Sequence, residues 1–301
     1  MGVLNIYRAL ARGSEAYSYY LCQNPEKLPM TDFRRILYPR ARVSQQRLRE
    51  CFAGRWVVVT GATSGIGLAL TRLLIGAGAN LYLIARREEV LSSLRDEARK
   101  QGCEVDMMAV DLRDREALQR VVAAMQERLP RVDYFFCNAG KSIHRKIEDA
   151  LERMHDYDRT MDLNYRALVA LSLSLMPLLK MGEAHIVYTS SVSTLYPAAP
   201  GWSAYHASKS AANVWCETAD AELRKHGVRV QVAYMPLVHT PMSDVNEQYK
   251  HLPGYTAEEA AMLLLKLSMG NCHSYKPWWA RITAPVAQLL SPVVRFVYRR
   301  L

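Results

Sequence analysis

No stretch of the 301-residue chain holds 18 consecutive apolar residues, so nothing in it reads as a membrane-crossing helix. Met1-Gly2-Val3-Leu4-Asn5-Ile6 lacks the charged start and apolar stretch of a secretion signal. Ile6 also stands where a myristoylation signal carries Ser or Thr. The six cysteines, at positions 22, 51, 103, 137, 216 and 272, form no C-x-x-C pair and have no metal-ligand spacing. Reduced thiols, no metal and a cytoplasmic protein are the expectation. Acid is missing altogether from residues 271–301, which carry 5 Lys/Arg, while residues 1–50 carry 9 Lys/Arg against 4 Asp/Glu. Between 51 and 270 the signs balance at 25 each, so the net +10 belongs to the two ends. A body without basic excess excludes a nucleic-acid-binding face. Half of the residues are hydrophobic and 23% charged, a globular composition.

From Trp56 onward, short apolar runs alternate with helical patterns. Trp56–Thr60, Leu81–Ala85, Glu104–Val110, Tyr134–Cys137, His185–Tyr188 and Val228–Tyr234 read as strands. Leu68–Ile75, Glu88–Gln101, Arg113–Arg128 and Ala204–Lys225 read as helices, as does a longer stretch from Ile147 to Lys180, broken before Asn164. Continuous apolar strands separated by such helices predict a parallel sheet covered on both faces. The expected architecture is therefore a single α/β domain over 53–270, a Rossmann-like doubly wound sheet. Residues 1–52 form a basic N-terminal extension and 271–301 a basic amphipathic C-terminal one.

Thr60-Gly61-Ala62-Thr63-Ser64-Gly65-Ile66-Gly67 joins the first strand to the first helix. Gly61 permits the tight turn, Gly65 a close approach of backbone to pyrophosphate, and Gly67 close helix–strand packing. The helix N-terminus then offers free N–H groups to phosphate. The second strand ends in Ala85-Arg86-Arg87, with no acid to accept from a free ribose 2′-hydroxyl. Guanidinium groups there suit a 2′-phosphate and favour NADPH over NADH, unless both arginines are simply solvated. Asp111, in Val110-Asp111-Leu112, is placed either to accept from the adenine amino group or to cap a helix. Tyr205 and Lys209 lie one turn apart on a helix face. An ammonium beside a phenol lowers its pKa from about 10 toward neutrality, making Tyr205 a usable general acid. Ser191, just past a strand, would hold a carbonyl oxygen.

Together, Thr60-Gly61-xxx-Gly65-x-Gly67, Asp111, Asn138-Ala139-Gly140, Asn164, Ser191, Tyr205-xxx-Lys209 and Pro236-xxx-Thr240 resemble the short-chain dehydrogenases/reductases over about residues 53–270. The resemblance implies Ser191, Tyr205, Lys209 and Asn164 as catalytic residues. In it Tyr205 is the proton donor, Ser191 positions substrate, Lys209 binds the nicotinamide ribose and tunes Tyr205, and Asn164 holds a water linked to Lys209. It implies cofactor binding by Thr60, Gly61, Thr63, Ser64, Gly65, Ile66, Gly67, Arg86, Arg87, Asp111, Leu112, Asn138, Ala139, Gly140, Tyr205, Lys209, Pro236, Val238 and Thr240. Three positions depart from the pattern. Cys137 replaces the more usual Asn, and Leu237 stands where Gly is commoner, crowding the nicotinamide pocket or reshaping its backbone. Ser191 sits one residue farther than usual from Tyr205, leaving Ser190 and Ser193 as competitors.

Residues 138–180 and 229–262 are more narrowly similar to bacterial fatty acyl-CoA reductases of this fold, which reduce a long-chain acyl thioester to an aldehyde with NADPH. The expected function is that reaction. The alternatives are a ketone or secondary-alcohol oxidoreductase acting on a 3-oxoacyl chain or polyketide, and a non-catalytic NADP-binding regulator. His144, Arg145 and Lys146 either greet an anionic substrate or form a solvated loop, and His155 reads as a structural helix residue. Residues 277–301 combine Trp278, Trp279, Ile282, Leu289, Leu290, Val293 and Phe296 with positive charge alone. That composition suits an anionic membrane interface, and core packing or a subunit contact suits it equally. A homo-oligomer peripheral to the inner face of the membrane is the corresponding expectation.

Overall fold

Trp56-Val57-Val58-Val59-Thr60 is buried along its whole length and forms β1, an inner strand of the sheet. A run that is apolar on both sides of the pleat can be satisfied only by cover on both faces, and helices supply it. The computed structural model describes residues 30–245 and 247–300. The chain divides into two compact units, residues 1–39 and 40–301. Of the first, the described part is essentially the helix Met30–Leu37. Residues 1–29 of the expected basic extension, with Cys22 and the N-terminal residues read for targeting, lie outside the described residues.

In the second unit, seven parallel strands follow one another in the order β3-β2-β1-β4-β5-β6-β7. They are β1 Trp56–Thr60, β2 Asn80–Ala85, β3 Val105–Ala109, β4 Tyr134–Cys137, β5 Ala184–Ser191, β6 Val228–Met235 and β7 Ser274–Tyr275. The order reverses between β1 and β4. A doubly wound sheet opens its crevice at that point, beyond the carboxyl ends of the strands. Thr60, Ala85, Cys137, Ser191 and Met235 all end strands on that edge. The Rossmann-like doubly wound fold is therefore as the sequence predicted.

The helices show local causes. The helix Gly65–Ala77 stops at Gly78, which adopts φ +79°, a conformation glycine enters without steric cost. Asp114 caps the helix Arg115–Arg128, accepting from the N–H groups of Glu116 and Ala117. Asp111 is thus not the cap. The helix Ala257–Ser268 starts with a reciprocal capping box between Thr256 and Glu259. Between Met154 and Ser174 the chain is helical, with one π-helical turn at Asp162–Arg166. The break or bend expected before Asn164 is instead this wider turn within a continuing helix, with Asn164 inside it, of the kind that recurs at functional sites. Gln45–Phe52 buries Leu48 and Phe52 against the core. The segment 271–301, which fits the alternating pattern poorly, opens with β7 and so adds a strand beside β6.

Candidate active site

The glycine-rich turn is built as the crevice requires. Gly61 has φ +71° and Gly65 φ +48°, so both use backbone conformations that side chains disfavour. A Cβ on Gly67 would collide with the carbonyl oxygen of Gly61, so only glycine lets the helix approach the turn this closely. Ser64 makes no side-chain cap and the helix's first turn carries no acid, leaving the positive N-terminal end to an outside anion. Thr63 and Ile66 flank these groups in the same turn. Thr240 closes over it, its methyl 2.9 Å from where a Cβ on Gly65 would lie.

Thr60 ties this turn to the next strand end. Its hydroxyl accepts from the N–H groups of Asn138 and Ala139, each at 3.1 Å. The Asn138 side-chain amide then lies against Gly61 and Gly67. Asn164 grips the far end of that segment, its Oδ1 accepting from Lys141 N at 2.8 Å and its Nδ2 donating to Lys141 O at 2.9 Å. The same amide donates to Ser208 Oγ at 2.9 Å. A Cβ on Gly140 would lie 3.3 Å from Asn164 Oδ1 and 3.4 Å from Lys209 Nζ, so these three predicted residues converge. The Asn164 main-chain carbonyl accepts from the Tyr188 hydroxyl at 3.3 Å.

Lys209 is buried. Its ammonium donates to Thr189 O at 2.7 Å and lies 4.7 Å over the Tyr188 ring. Burial pushes its pKa down to about 8. Tyr205 behaves differently from the sequence expectation. Burial raises its pKa above the ordinary phenol value, a Ser191 hydrogen bond partly offsets this, and the Tyr249 hydroxyl adds to the rise. Lys209 spends its charge on Thr189 and Tyr188 rather than on the phenol. The phenol consequently keeps its proton at neutral pH, the state a proton donor needs.

Ser191 is separated from its competitors by what each hydroxyl touches. Ser190 donates to Asn213 Oδ1 at 2.6 Å in the buried helix–sheet contact. Ser193 lies 2.8 Å from the Ser191 hydroxyl, and it is Ser191 that is hydrogen-bonded to Tyr205. The Leu237 departure is also accommodated. Among the described residues none except glycine has positive φ, so Leu237 keeps an ordinary backbone. Its carbonyl accepts from Tyr255 N at 2.9 Å, and a Cβ on the facing Gly254 would lie 2.8 Å from it. Pro236 is buried and Val238 pairs with Tyr255 in an isolated bridge. Cys137 is buried in the field of Lys209 and Cys216, and burial holds its thiol well above its usual pKa.

Just past the end of β3, Arg113 binds both oxygens of Asp111, with Nε 3.0 Å from Oδ1 and Nη2 2.5 Å from Oδ2. That pairing holds the carboxyl below its usual range. Arg113 N also donates to Oδ1 at 3.1 Å and Nε reaches Oδ2 at 3.1 Å, so this one residue makes four contacts to the carboxylate. Leu112 beside it is buried. Arg86 is exposed, whereas Arg87 donates to the Thr63 hydroxyl and carbonyl.

Sequence reasoning missed two features around Tyr205 and the preceding loops. One is an aromatic group around Trp202, whose ring centroid lies 4.7 Å from His144, 5.8 Å from Tyr205 and 6.5 Å from Tyr249. The other is buried Asp156, which accepts from Arg145 and Arg153 at 3.0 Å each, with Arg159 at 3.6 Å and His155 at 3.4 Å. Burial works against this carboxylate's charge, but the hydrogen bonds from Arg153 and Arg145 outweigh it and keep the pKa low. Nearby, burial and then Arg159, Arg113 and Arg86 push the Lys141 pKa down, so cations crowd this rim.

The short chain dehydrogenase family matches residues 55–250. The chain belongs to that family. This short-chain dehydrogenase is 37% identical over 218 residues to a fatty acyl-CoA reductase of Acinetobacter baylyi, covering 72% of this chain and 74% of the relative. It is 34% identical over 238 residues to a fatty acyl-CoA reductase of Mycobacterium tuberculosis, covering 78% and 81%. A solved L-sorbose reductase from Gluconobacter frateurii, in complex with NADPH and L-sorbose, superposes with a TM-score of 0.64 at 25% identity, covering 72% and 90%. The protein is thus an oxidoreductase with a nicotinamide cofactor. The turn fits that group, since its glycines leave no Cβ in the cradle and its helix end lacks an anion. When bound, the nicotinamide supplies hydride. Of the chain's own residues, the glycine turn would hold the pyrophosphate, and Tyr205 and Ser191 bring a phenol and a serine hydroxyl into hydrogen-bond contact with each other.

Proposed function

We propose that this protein reduces a lipid carbonyl with NADPH, specifically a long-chain acyl thioester such as acyl-CoA, and releases the aldehyde. The observation that carries the reading is the 37% identity to a fatty acyl-CoA reductase across nearly three quarters of the chain. The rim of Arg145, Arg153, Arg159 and Lys141 agrees with it, because a phosphate-bearing carrier needs cations beside the cleft. Hydride addition at the thioester carbon puts charge on the carbonyl oxygen, where the Ser191 and Tyr205 hydroxyls stabilise it. When the C=O re-forms, the C–S bond breaks, and the proton from Tyr205 ends on the departing thiol. One hydride and one proton thus convert the thioester to aldehyde and free thiol. We take the working form to be a homo-oligomer, supported by Leu173 and Val214, which are large apolar side chains exposed on helix surfaces.

The decisive assay follows NADPH oxidation with palmitoyl-CoA, together with aldehyde and free CoA. Stoichiometric appearance of both products is expected. Turnover confined to ketones would replace the thioester reading with a ketone reductase. Cofactor binding with no turnover on any carbonyl would leave a regulator.

The NADPH preference rests on Arg86 and Arg87 and on the absence of an acid at the end of β2. Arg86→Ala together with Arg87→Ala should cost about 1.5–3 kcal/mol in NADPH binding if the contacts are charge-assisted hydrogen bonds. The ratio of kcat/KM for NADPH to that for NADH is expected to fall tenfold or more. An unchanged ratio would mean that the phosphate is recognised elsewhere. Because Arg87 also grips Thr63, Arg86→Ala alone isolates the phosphate contribution from any loosening of the turn.

A further inference from the structure

We propose that the two C-terminal helices, Trp278–Leu289 and Ser291–Tyr298, form a docking surface for an anionic lipid bilayer beside the active-site mouth. These helices are built the reverse of an ordinary surface helix, which buries its large apolar residues and exposes polar ones. Their buried positions are the small Ala280 and Ala284, one turn apart. Their large apolar residues face outward, with Ile282 61%, Val286 51% and Leu289 81% exposed. Leu290, Val293 and Phe296 extend this row. Within the first helix, spacings of four and three residues put Ile282, Val286 and Leu289 on one side, opposite Ala280 and Ala284. Folding has spent the alanine side on the body and left the larger apolar side uncovered.

Charge decides what covers it. Arg281, Arg295, Arg299 and Arg300 are exposed on the same two helices, and no Asp or Glu occurs from 271 to 301. Arg300 lies over the Phe296 ring at 4.1 Å, pairing a cation with an apolar anchor. A second copy docking here about a two-fold axis would set these arginines against their own counterparts. A bilayer with anionic headgroups supplies both an apolar layer and the missing sign. Among the described residues no helix is long and apolar enough to cross a membrane, so this contact is interfacial.

The surface is also placed for use. Gln288 Nε2 donates to Leu195 O at 3.1 Å, and the Tyr196 and Thr283 hydroxyls lie 2.5 Å apart. Leu195 and Tyr196 follow Ser191 by four and five residues, so the first of these helices stands directly on the segment that carries this hydroxyl. A substrate dissolved in the bilayer would meet the enzyme on its reactive side. The docking surface does not depend on the acyl thioester reading, since it is tested without substrate.

The test is flotation of the full chain with phosphatidylcholine vesicles, with and without phosphatidylglycerol, at low and high salt. The wild type is expected to float with phosphatidylglycerol vesicles at low salt and to be released as salt rises. A variant carrying Ile282→Ser, Val286→Ser and Leu289→Ser should partition about tenfold less, and one carrying Arg295→Gln, Arg299→Gln and Arg300→Gln should lose the preference for phosphatidylglycerol. Both sets lie on exposed positions, and turnover of a short, water-soluble carbonyl substrate is expected to stay within about twofold. Failure of the wild type to float at low salt, or equal flotation of the apolar variant, overturns the proposal. A light-scattering dimer that the apolar variant converts to monomer also overturns it, by showing a second copy on this face.

Discussion

Tyr205→Phe should lower turnover at least about a hundredfold while leaving NADPH binding within a few-fold of wild type. The substitution keeps the ring, and with it the edge contact to Trp202 at 5.8 Å. It removes only the hydroxyl, which is bonded to Ser191 and would hold the proton given to the carbonyl oxygen. Because burial raises the phenol pKa, the wild-type proton is present across the neutral range, and the deficit should be as large at pH 6 as at pH 7.5. Ser191→Ala removes a positioning bond instead of the proton source, so it should cost less than Tyr205→Phe. Stopped-flow NADPH oxidation checks the rate, and quenching of intrinsic fluorescence checks binding. Wild-type turnover in Tyr205→Phe would remove this residue from the mechanism.

The strands were legible because each is a short apolar run with its own boundary. Trp56–Thr60 and Tyr134–Cys137 form where the pattern places them, and the others within a few residues. β7 was not legible. Two residues carry no periodicity, and Ser274–Tyr275 becomes a strand only because β6 offers an edge. The helix Ala257–Ser268 had a readable start in Thr256 and Glu259, and that capping signal was passed over.

In the site, the motifs announced which residues assemble but not their electrostatics. Spacing places Lys209 one turn from Tyr205, which suggested a depressed phenol pKa. The actual balance depends on Thr189 O and the Tyr188 ring, both on β5, which no helix periodicity can reveal. Asp111 likewise reads as a free acceptor until Arg113, two residues on, turns back to bind it. Asp156 is a further case. Arg153 and Arg159 are helix neighbours at legible spacing, but Arg145 arrives from a loop pinned by its N–H to Gly201 O at 2.7 Å. Long-range pairing of polar groups is where a single sequence carries least information.

Lys209→Met should abolish turnover yet make the protein more stable at pH 7, and the stability gain should vanish as pH rises. Burial lowers the lysine pKa from 10.5 to about 8, so the folded state holds this proton less tightly than the unfolded chain does. Stability therefore rises with pH wherever the unfolded state binds the extra proton, here between about 8 and 10.5. Below pH 8 the full penalty applies, on the order of 3 kcal/mol from the shift alone. Methionine fills a similar volume without charge, but it leaves Thr189 O without its donor, a loss of about 1–3 kcal/mol, so the net gain at pH 7 is about 0–2 kcal/mol. The pH dependence is the sharper signal, because the Thr189 loss is the same at every pH and cancels from the slope. Urea unfolding of both proteins at pH 7 and pH 10 measures it. The wild type should gain on the variant by roughly 2–3 kcal/mol across that interval. Parallel behaviour would mean that Lys209 keeps an ordinary pKa in the folded protein. This buried lysine costs the fold stability, and its ammonium sits beside Gly140 and Asn164, on the helix of Tyr205, where a charge would act on whatever the crevice binds.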